Sequence, residues 1–322
     1  MILKERDIPL YTKKLEALLR RTPQTHPKFP FIKEALAKSI AGNKGEHSID
    51  YPLTFLPEEK FIIFHDLRLL HKKSYFQIDT LILCKNFILI LEVKNIAGTL
   101  FFDQNFHQLI RTYDGREEAF PDPFIQIERH EQQLKYWLTV NKLPEPTILS
   151  LVVLSSPYTR ISNSPHDKQL FEKLIHSDYL PQKITSLAAR HKHETLSDKD
   201  IKKLIRLLNR DHTPADRPIL ERFNMSVDEL IKGVYCPKCN HLPLTRIFGN
   251  WICPNCAEKV RDAHVASLRD YSLLISSAIT NRQASEFLQI TSPAMTRRIL
   301  FSMNNFYTGT YKSRTYYLSF EL

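Results

Sequence analysis

Long apolar runs are missing from this 322-residue sequence. A membrane-spanning helix needs about 20 consecutive apolar residues. The strongest candidate, Phe87 to Val93, is short and interrupted by Glu92. The opening Met1-Ile2-Leu3-Lys4 lacks the apolar core of a secretory leader. Cysteine is scarce as well: there are five, four of them clustered, too few for a disulfide scaffold. A cytoplasmic location, with no membrane partner, is the expectation. With 43% hydrophobic and 25% charged residues, the composition excludes a largely disordered or collagen-like chain. The length allows about two domains of ordinary size.

What the sequence has is positive charge, unevenly spread. There are 45 Lys and Arg against 35 Asp and Glu, a net charge of +10. Residues 1–39 carry 9 basic and 4 acidic groups, whereas residues 40–140 carry 11 and 14. Residues 141–256 carry 17 and 12, and residues 257–322 carry 8 and 5. An acidic stretch between basic flanks fits a cation held in the middle and a polyanion neutralised on either side. A mildly basic protein with no polyanionic partner has the same balance.

The chain reads as five segments. Residues 1–39 are a basic helical segment, with Leu15, Leu18 and Leu19 at helical spacing. Residues 40–210 alternate strand and helix patterns and form an α/β domain, a mixed sheet flanked by helices. The helix over Phe31 to Gly42 ends just before Gly45-Glu46, and strand character begins near Tyr51 and Pro52. Phe76 to Leu83 and Phe87 to Asn95 form a hairpin around Lys85-Asn86. Thr99 to Phe106 and Gln108 to Tyr113 form another. Pro123 to Val140 and Leu170 to Ala189 read as helices, Ile148 to Ser155 as a strand, and Ser197 to Leu208 as a capped helix. Residues 211–233 read as a linker, 234–260 as a cysteine module and 261–322 as a helical tail.

Charged residues are rare inside an apolar strand, because burying an unpaired charge is costly. Glu92 and Lys94 alternate with Val93 and therefore share one face, next to Asp79 on the neighbouring hairpin strand. Asp79 and Glu92 offer hard oxygen ligands suited to Mg²⁺ or Mn²⁺, and such a metal polarises a phosphoryl oxygen and lowers the pKa of bound water. Lys94 supplies a compact charge beside them, and Glu46 is a third carboxylate. A surface ion pair at a frayed strand end accounts for the same residues without chemistry. His65, His107 and His130 are candidate bases, or packing residues.

Gly45-Glu46, Gln77-Ile78-Asp79, Leu91-Glu92-Val93-Lys94-Asn95 and Asp122-Pro123-Phe124-Ile125-Gln126, in this order, resemble the nuclease-related domain (NERD) family over roughly residues 40–140. That family is assigned to the PD-(D/E)XK nuclease superfamily. The resemblance implies a restriction-endonuclease-like mixed sheet and metal-dependent DNA cleavage. It makes Asp79 the motif aspartate, Glu92 and Lys94 the E-x-K pair, Glu46 the helical acid and Gln126 the glutamine opening the following helix. Gln126 also suits a plain first-turn polar residue. Two positions depart from the pattern: Ile78 stands where proline is common, and Asp122-Pro123 where Asn-Pro is expected. Asp122 there serves as a helix cap.

Cys236-Pro-Lys-Cys239 and Cys253-Pro-Asn-Cys256 have the spacing of a structural zinc site, and strand material between them makes a zinc ribbon. Such ribbons bind nucleic acid or dock proteins. A redox dithiol is the alternative, and Cys84 reads as a buried small hydrophobe. In the tail, Asp270 to Ile279, Thr280 to Leu288 and Pro293 to Phe301 read as helices, with Ser292 capping the last. With Tyr307 to Tyr311 and Arg314 to Phe320 as a wing, they resemble a helix-turn-helix carrying Arg297 and Arg298 toward DNA.

The function expected is a Mg²⁺-dependent DNA nuclease with a zinc ribbon and a winged-helix-like tail. A non-catalytic DNA-binding or regulatory protein on the same fold, an RNA-processing nuclease and a protein adaptor are the rivals.

Overall fold

A computed structural model describes residues 1–163, 167–303, 306–310 and 313–320. The chain divides into two compact units, Met1–Asp7 with Ile40–Ala215, and Ile8–Ser39 with Asp216–Leu322. The first 39 residues are thus shared, where the sequence suggested one segment. Ile2–Lys4 (β1) pairs in parallel with Ile62–His71 (β2), and the terminal ammonium donates to the Phe61 carbonyl at 2.7 Å. Leu10–Arg21 (α1) instead buries Leu15 and Leu18 against Ile219, Leu220, Leu273 and Leu274 in the second unit.

The first unit is built on a six-stranded mixed sheet. Its order is β1, β2, Ser74–Leu83 (β3), Phe87–Lys94 (β4), Thr147–Leu154 (β8) and Leu174–His176 (β10). β2, β3 and β4 are antiparallel neighbours, and β4, β8 and β10 are parallel. The central strand β4 reads Phe-Ile-Leu-Ile-Leu-Glu-Val-Lys, apolar on both faces because both are covered. Pro123–Val140 (α4) and Asp198–Asp211 (α7) place Leu134, Trp137, Leu138, Leu204 and Leu208 against Ile88 and Ile90. Leu180–Arg190 (α6) covers the other face with Leu180 and Ile184 against Leu89, Leu91 and Val153. A second sheet contains Gly98–Asp103 (β5), Gln108–Tyr113 (β6), Arg116–Pro121 (β7) and Thr159–Ile161 (β9), in the order β7-β6-β5-β9.

Several elements differ from the sequence reading. Phe29–His47 (α2) runs through Gly42 and Gly45, so Glu46 sits in its last turn rather than beyond it. Asp50–Leu53 (α3) is a short helix where strand was expected. The single helix expected over Leu170 to Ala189 is broken into Lys168–Lys173 (α5), the edge strand β10 and α6, because Leu174 and Ile175 bury against the sheet. The hairpin of β5 and β6 forms, with β7 as an additional strand.

In the second unit the region read as a linker is packed. Ile219–Arg222 (α8) buries Ile219 and Leu220, and Met225 and Leu230 join them. Thr245–Ile247 (β11), Asn250–Ile252 (β12) and Lys259–Val260 (β13) make a small antiparallel sheet. The tail folds as Ala263–Leu274 (α9), Ala278–Thr280 (β14), Asn281–Leu288 (α10), Pro293–Ser302 (α11), Phe306–Thr308 (β15) and Thr315–Tyr317 (β16). The helix expected over Asp270 to Ile279 therefore starts earlier and gives way to β14, which pairs with β16. Thr280 and Gln283 form a capping box on α10, and Ser292 caps α11 with Pro293 in its first turn. Tyr311, expected in the wing, lies outside the described residues.

Candidate functional site

The ladder between β2 and β3 is interrupted at one rung. His65 pairs with Thr80 and Leu67 with Ile78, but Asp66 and Asp79 between them form no ladder pair. The core-facing positions skip together there, passing from Phe64 to Leu67 on β2 and from Ile78 to Leu81 on β3. Asp66 takes up the mismatch with φ of 51°, an uncommon conformation for a residue other than glycine. β3 also stops pairing with β4 beyond Thr80 opposite Leu91. The Val93 N–H beyond that point is satisfied instead by Asp79 Oδ2 at 2.9 Å. Asp79 is thereby held beside the end of β4.

Glu92 continues the Ile88 and Ile90 face toward α4. It is only 3% exposed. Lys94, on the same face, donates to Glu92 Oε1 at 2.7 Å and to Gln126 Oε1 at 3.0 Å. Gln126 is in the first turn of α4, which Asp122 caps by accepting the Phe124 N–H at 2.8 Å with Pro123 behind it. Glu46 approaches from α2. Its helix closes onto β4 because residue 45 is glycine: a Cβ there would lie 2.3 Å from Asn95 Cβ. Asn95 in turn donates to the Ala41 carbonyl at 2.8 Å.

The cluster is electrostatically loaded. Burial and the nearby Asp79 and Asp66 carboxylates push Glu46 up to about 8. Burial and Glu92 push Asp79 up to about 8. Burial raises Glu92 as well, against the pull of Lys94. Three carboxylates that each disfavour ionisation of a neighbour are short of cation. Glu92 Oε2 is buried with no hydrogen-bond partner. An orphaned hard oxygen among under-compensated carboxylates fits a divalent cation such as Mg²⁺.

Arg6 supplies part of the missing charge, and the sequence reading overlooked it. Its side chain is 1% exposed, and it contacts Glu46 Oε2 at 3.5 Å, Asp50 Oδ1 at 3.0 Å and Asp66 Oδ1 at 3.2 Å. It also donates to Thr80 Oγ1 at 2.6 Å and to the Asp79 carbonyl at 3.1 Å. Nothing in Glu5-Arg6-Asp7 marks such a role. Asp66 was discoverable, as a charged residue in the apolar run Phe61 to Leu70, by the argument applied to Glu92.

Of the histidines, His130 on α4 faces Glu92, with Nδ1 3.8 Å from Oε2. Burial and Lys94 lower it to about 4, so it is neutral. His65 is buried against Thr80 Oγ1 at 3.1 Å, on the Arg6 side. His107 is exposed in the turn between β5 and β6 and lines a pocket with Asp122, Phe124 and Glu128 at the start of α4.

Residues 41–155 match the family model described as the nuclease-related domain, NERD. Over these residues the chain is similar to nuclease-related domains. Comparison with curated proteins and with solved structures gives no match. The NERD match contains Glu46, Asp79, Glu92, Lys94 and Gln126, while Arg6 lies outside it.

Outside the matched residues, the four cysteines Cys236, Cys239, Cys253 and Cys256 converge. All four sulfurs lie within 4.8 Å of one another, with Cys236–Cys256 at 3.6 Å and Cys239–Cys253 at 3.5 Å. Zn–S bonds of about 2.3 Å set sulfur–sulfur edges of roughly 3.8 Å in a tetrahedron. The cluster is of the size to hold zinc. Among the described residues, no other set of three or more His, Cys, Asp and Glu is gathered this tightly. Cys84, the remaining cysteine, is a buried residue of the sheet unit. Arg297 and Arg298 are both exposed on α11, whereas neighbouring Thr296 is buried and accepts from Ser285 Oγ at 2.9 Å.

Proposed function

We propose that this protein is a divalent-metal-dependent nuclease that hydrolyses phosphodiester bonds in DNA, with its zinc ribbon and C-terminal helices binding the substrate. The observation that carries this reading is the convergence of Asp79, Glu92 and Lys94 at the point where β3 parts from β4. Asp79 and Glu92 would hold Mg²⁺ or Mn²⁺, with Glu46 adjacent. Such a metal, when bound, polarises a phosphoryl oxygen and lowers the pKa of coordinated water. Lys94, fixed between Glu92 and Gln126, orients the attacking water and offsets charge growing on the phosphorus centre. Asp79 is held in place by the Val93 N–H, so its carboxylate needs little reorganisation.

The four cysteines would hold Zn²⁺ and lock the ribbon. Arg297 and Arg298 would contact phosphates or bases. A reducing, cytoplasmic compartment suits the free thiols.

The test is cleavage of supercoiled plasmid and linear duplex by the purified protein, with and without Mg²⁺ or Mn²⁺. Lys94→Ala, with unchanged melting, is expected to lose about 100-fold or more in rate. Equal activity in that variant removes the active-site assignment, and binding without cleavage by the parent supports a regulatory role instead. Cleavage confined to structured RNA moves the substrate from DNA to RNA.

A further inference from the structure

The excess positive charge is concentrated in one unit. Ile8–Ser39 with Asp216–Leu322 contains 20 basic and 11 acidic residues, against 25 and 24 in the rest. Within that unit a groove of about 1040 Å³ runs between the ribbon hairpin and α11. Arg246, Arg261 and Arg298 line it, opposed by the single acid Asp262. The groove suits a polyanion.

Two aromatic features stand out in the same unit, the first of them lining this groove. β11 and β12 are joined by the two-residue turn Phe248-Gly249, with φ of 46° and 82°. Both positive φ values mark a turn type that favours Asn-Gly. A phenylalanine at the first position is conformationally costly, and its side chain gains no burial in return: Phe248 is 98% exposed. The second feature is the wing. On β15 and β16, Tyr307 and Tyr316 face α11, packing on Phe301, and Tyr316 is buried. Phe306 and Tyr317 are paired on the opposite face, with ring centroids 5.6 Å apart, and are 70% and 40% exposed. Water-exposed rings form stacking platforms, and every nucleic-acid base has a face that fits one. In a duplex those faces are already covered by neighbouring base pairs.

We infer that the C-terminal unit binds single-stranded nucleic acid, its backbone along the arginine-lined groove and its unpaired bases on Phe248 and on the Phe306–Tyr317 pair. This rests on, and narrows, the reading of that unit as the substrate-binding part of a nuclease. It directs the enzyme to strand ends, gaps or displaced strands.

The full-length protein, without added divalent cation, is titrated against fluorescent oligothymidylate, oligouridylate and a mixed-sequence duplex of equal length. Both single strands are expected to bind roughly 10-fold or more tightly than the duplex. Preference between the two identifies DNA or RNA as the source. Phe248→Ala and the double variant Phe306→Ala, Tyr317→Ala are each expected to weaken single-strand binding roughly 10-fold with unchanged melting. Arg298→Ala is expected to weaken binding to both forms and flatten its salt dependence.

Duplex bound as tightly as the single strands overturns the inference, as do aromatic variants that bind like the parent. Failure to bind any nucleic acid, with self-association abolished by Phe248→Ala, assigns the surface to protein contacts and overturns it too. Metal-dependent plasmid cleavage retained in any of these cases leaves the nuclease reading standing. Single-strand binding retained by Lys94→Ala isolates the inference from the chemistry.

Discussion

Arg6 Nη1 donates to the carbonyl oxygen of Asp79 at 3.1 Å, at the one rung where the β2–β3 ladder is interrupted. One guanidinium thereby fills a break in the sheet and faces the carboxylates of Glu46, Asp50 and Asp66. Removing a buried ion-pair partner leaves uncompensated charge and costs about 3–5 kcal/mol. Arg6→Ala is expected to lose stability on that order in chemical denaturation. Arg6→Lys is expected to recover only part, since an ammonium cannot span the same set of acceptors.

The carboxylate cluster makes stability fall as pH rises. Asp79 and Glu46 titrate near 8 in the folded chain and near 4 when unfolded. Between those values the folded state binds more protons, so raising the pH favours unfolding until both groups are ionised. The melting temperature of metal-free protein is expected to drop between about pH 5 and pH 8 and then level off. Asp79→Asn is expected to flatten the drop, and added Mg²⁺ to reverse it above pH 8.

Two glycines of α2 are expected to behave oppositely. At Gly45 a methyl group would overlap Asn95 and Ser155, whereas at Gly42 nothing lies within 4 Å. Gly45→Ala is expected to cost about 1–3 kcal/mol and to lower activity by displacing Glu46 from the end of β4. Gly42→Ala is expected to stabilise by about 0.5–1 kcal/mol with activity unchanged, because glycine inside a helix is entropically costly. Denaturation midpoints and plasmid-cleavage rates check both.

The cysteine cluster is expected to carry one zinc per chain by elemental analysis. Cys253→Ser is expected to lose that metal. Because binding to a structural zinc site is coupled to folding, the loss should appear as earlier melting and greater protease sensitivity. Zinc content unchanged in the variant would contradict the assignment.

Local signals carried much of this architecture. The E-x-K strand showed itself through charge inside an apolar run, and the Asp122-Pro123 start of α4 through cap chemistry. Ser292-Pro293 marked the last tail helix in the same way. What the sequence concealed depends on contacts distant along the chain. The break between α5 and α6 follows from Leu174 and Ile175 joining a sheet edge, which helical periodicity does not reveal. Glu46 appeared to follow its helix because Gly42 reads as a stop, although the helix runs on through it and Gly45 packs closely on Asn95. Arg6 is separated by more than 70 residues from the Asp79 carbonyl it supports. No local pattern foretells such a contact.

Anomalous diffraction from crystals soaked in Mn²⁺ decides whether Asp79 and Glu92 share a divalent cation. A peak is expected within about 2.2 Å of an oxygen from each carboxylate, absent in Asp79→Asn. A fully soaked crystal with no peak between them, and the two carboxylates turned apart, would contradict a shared cation.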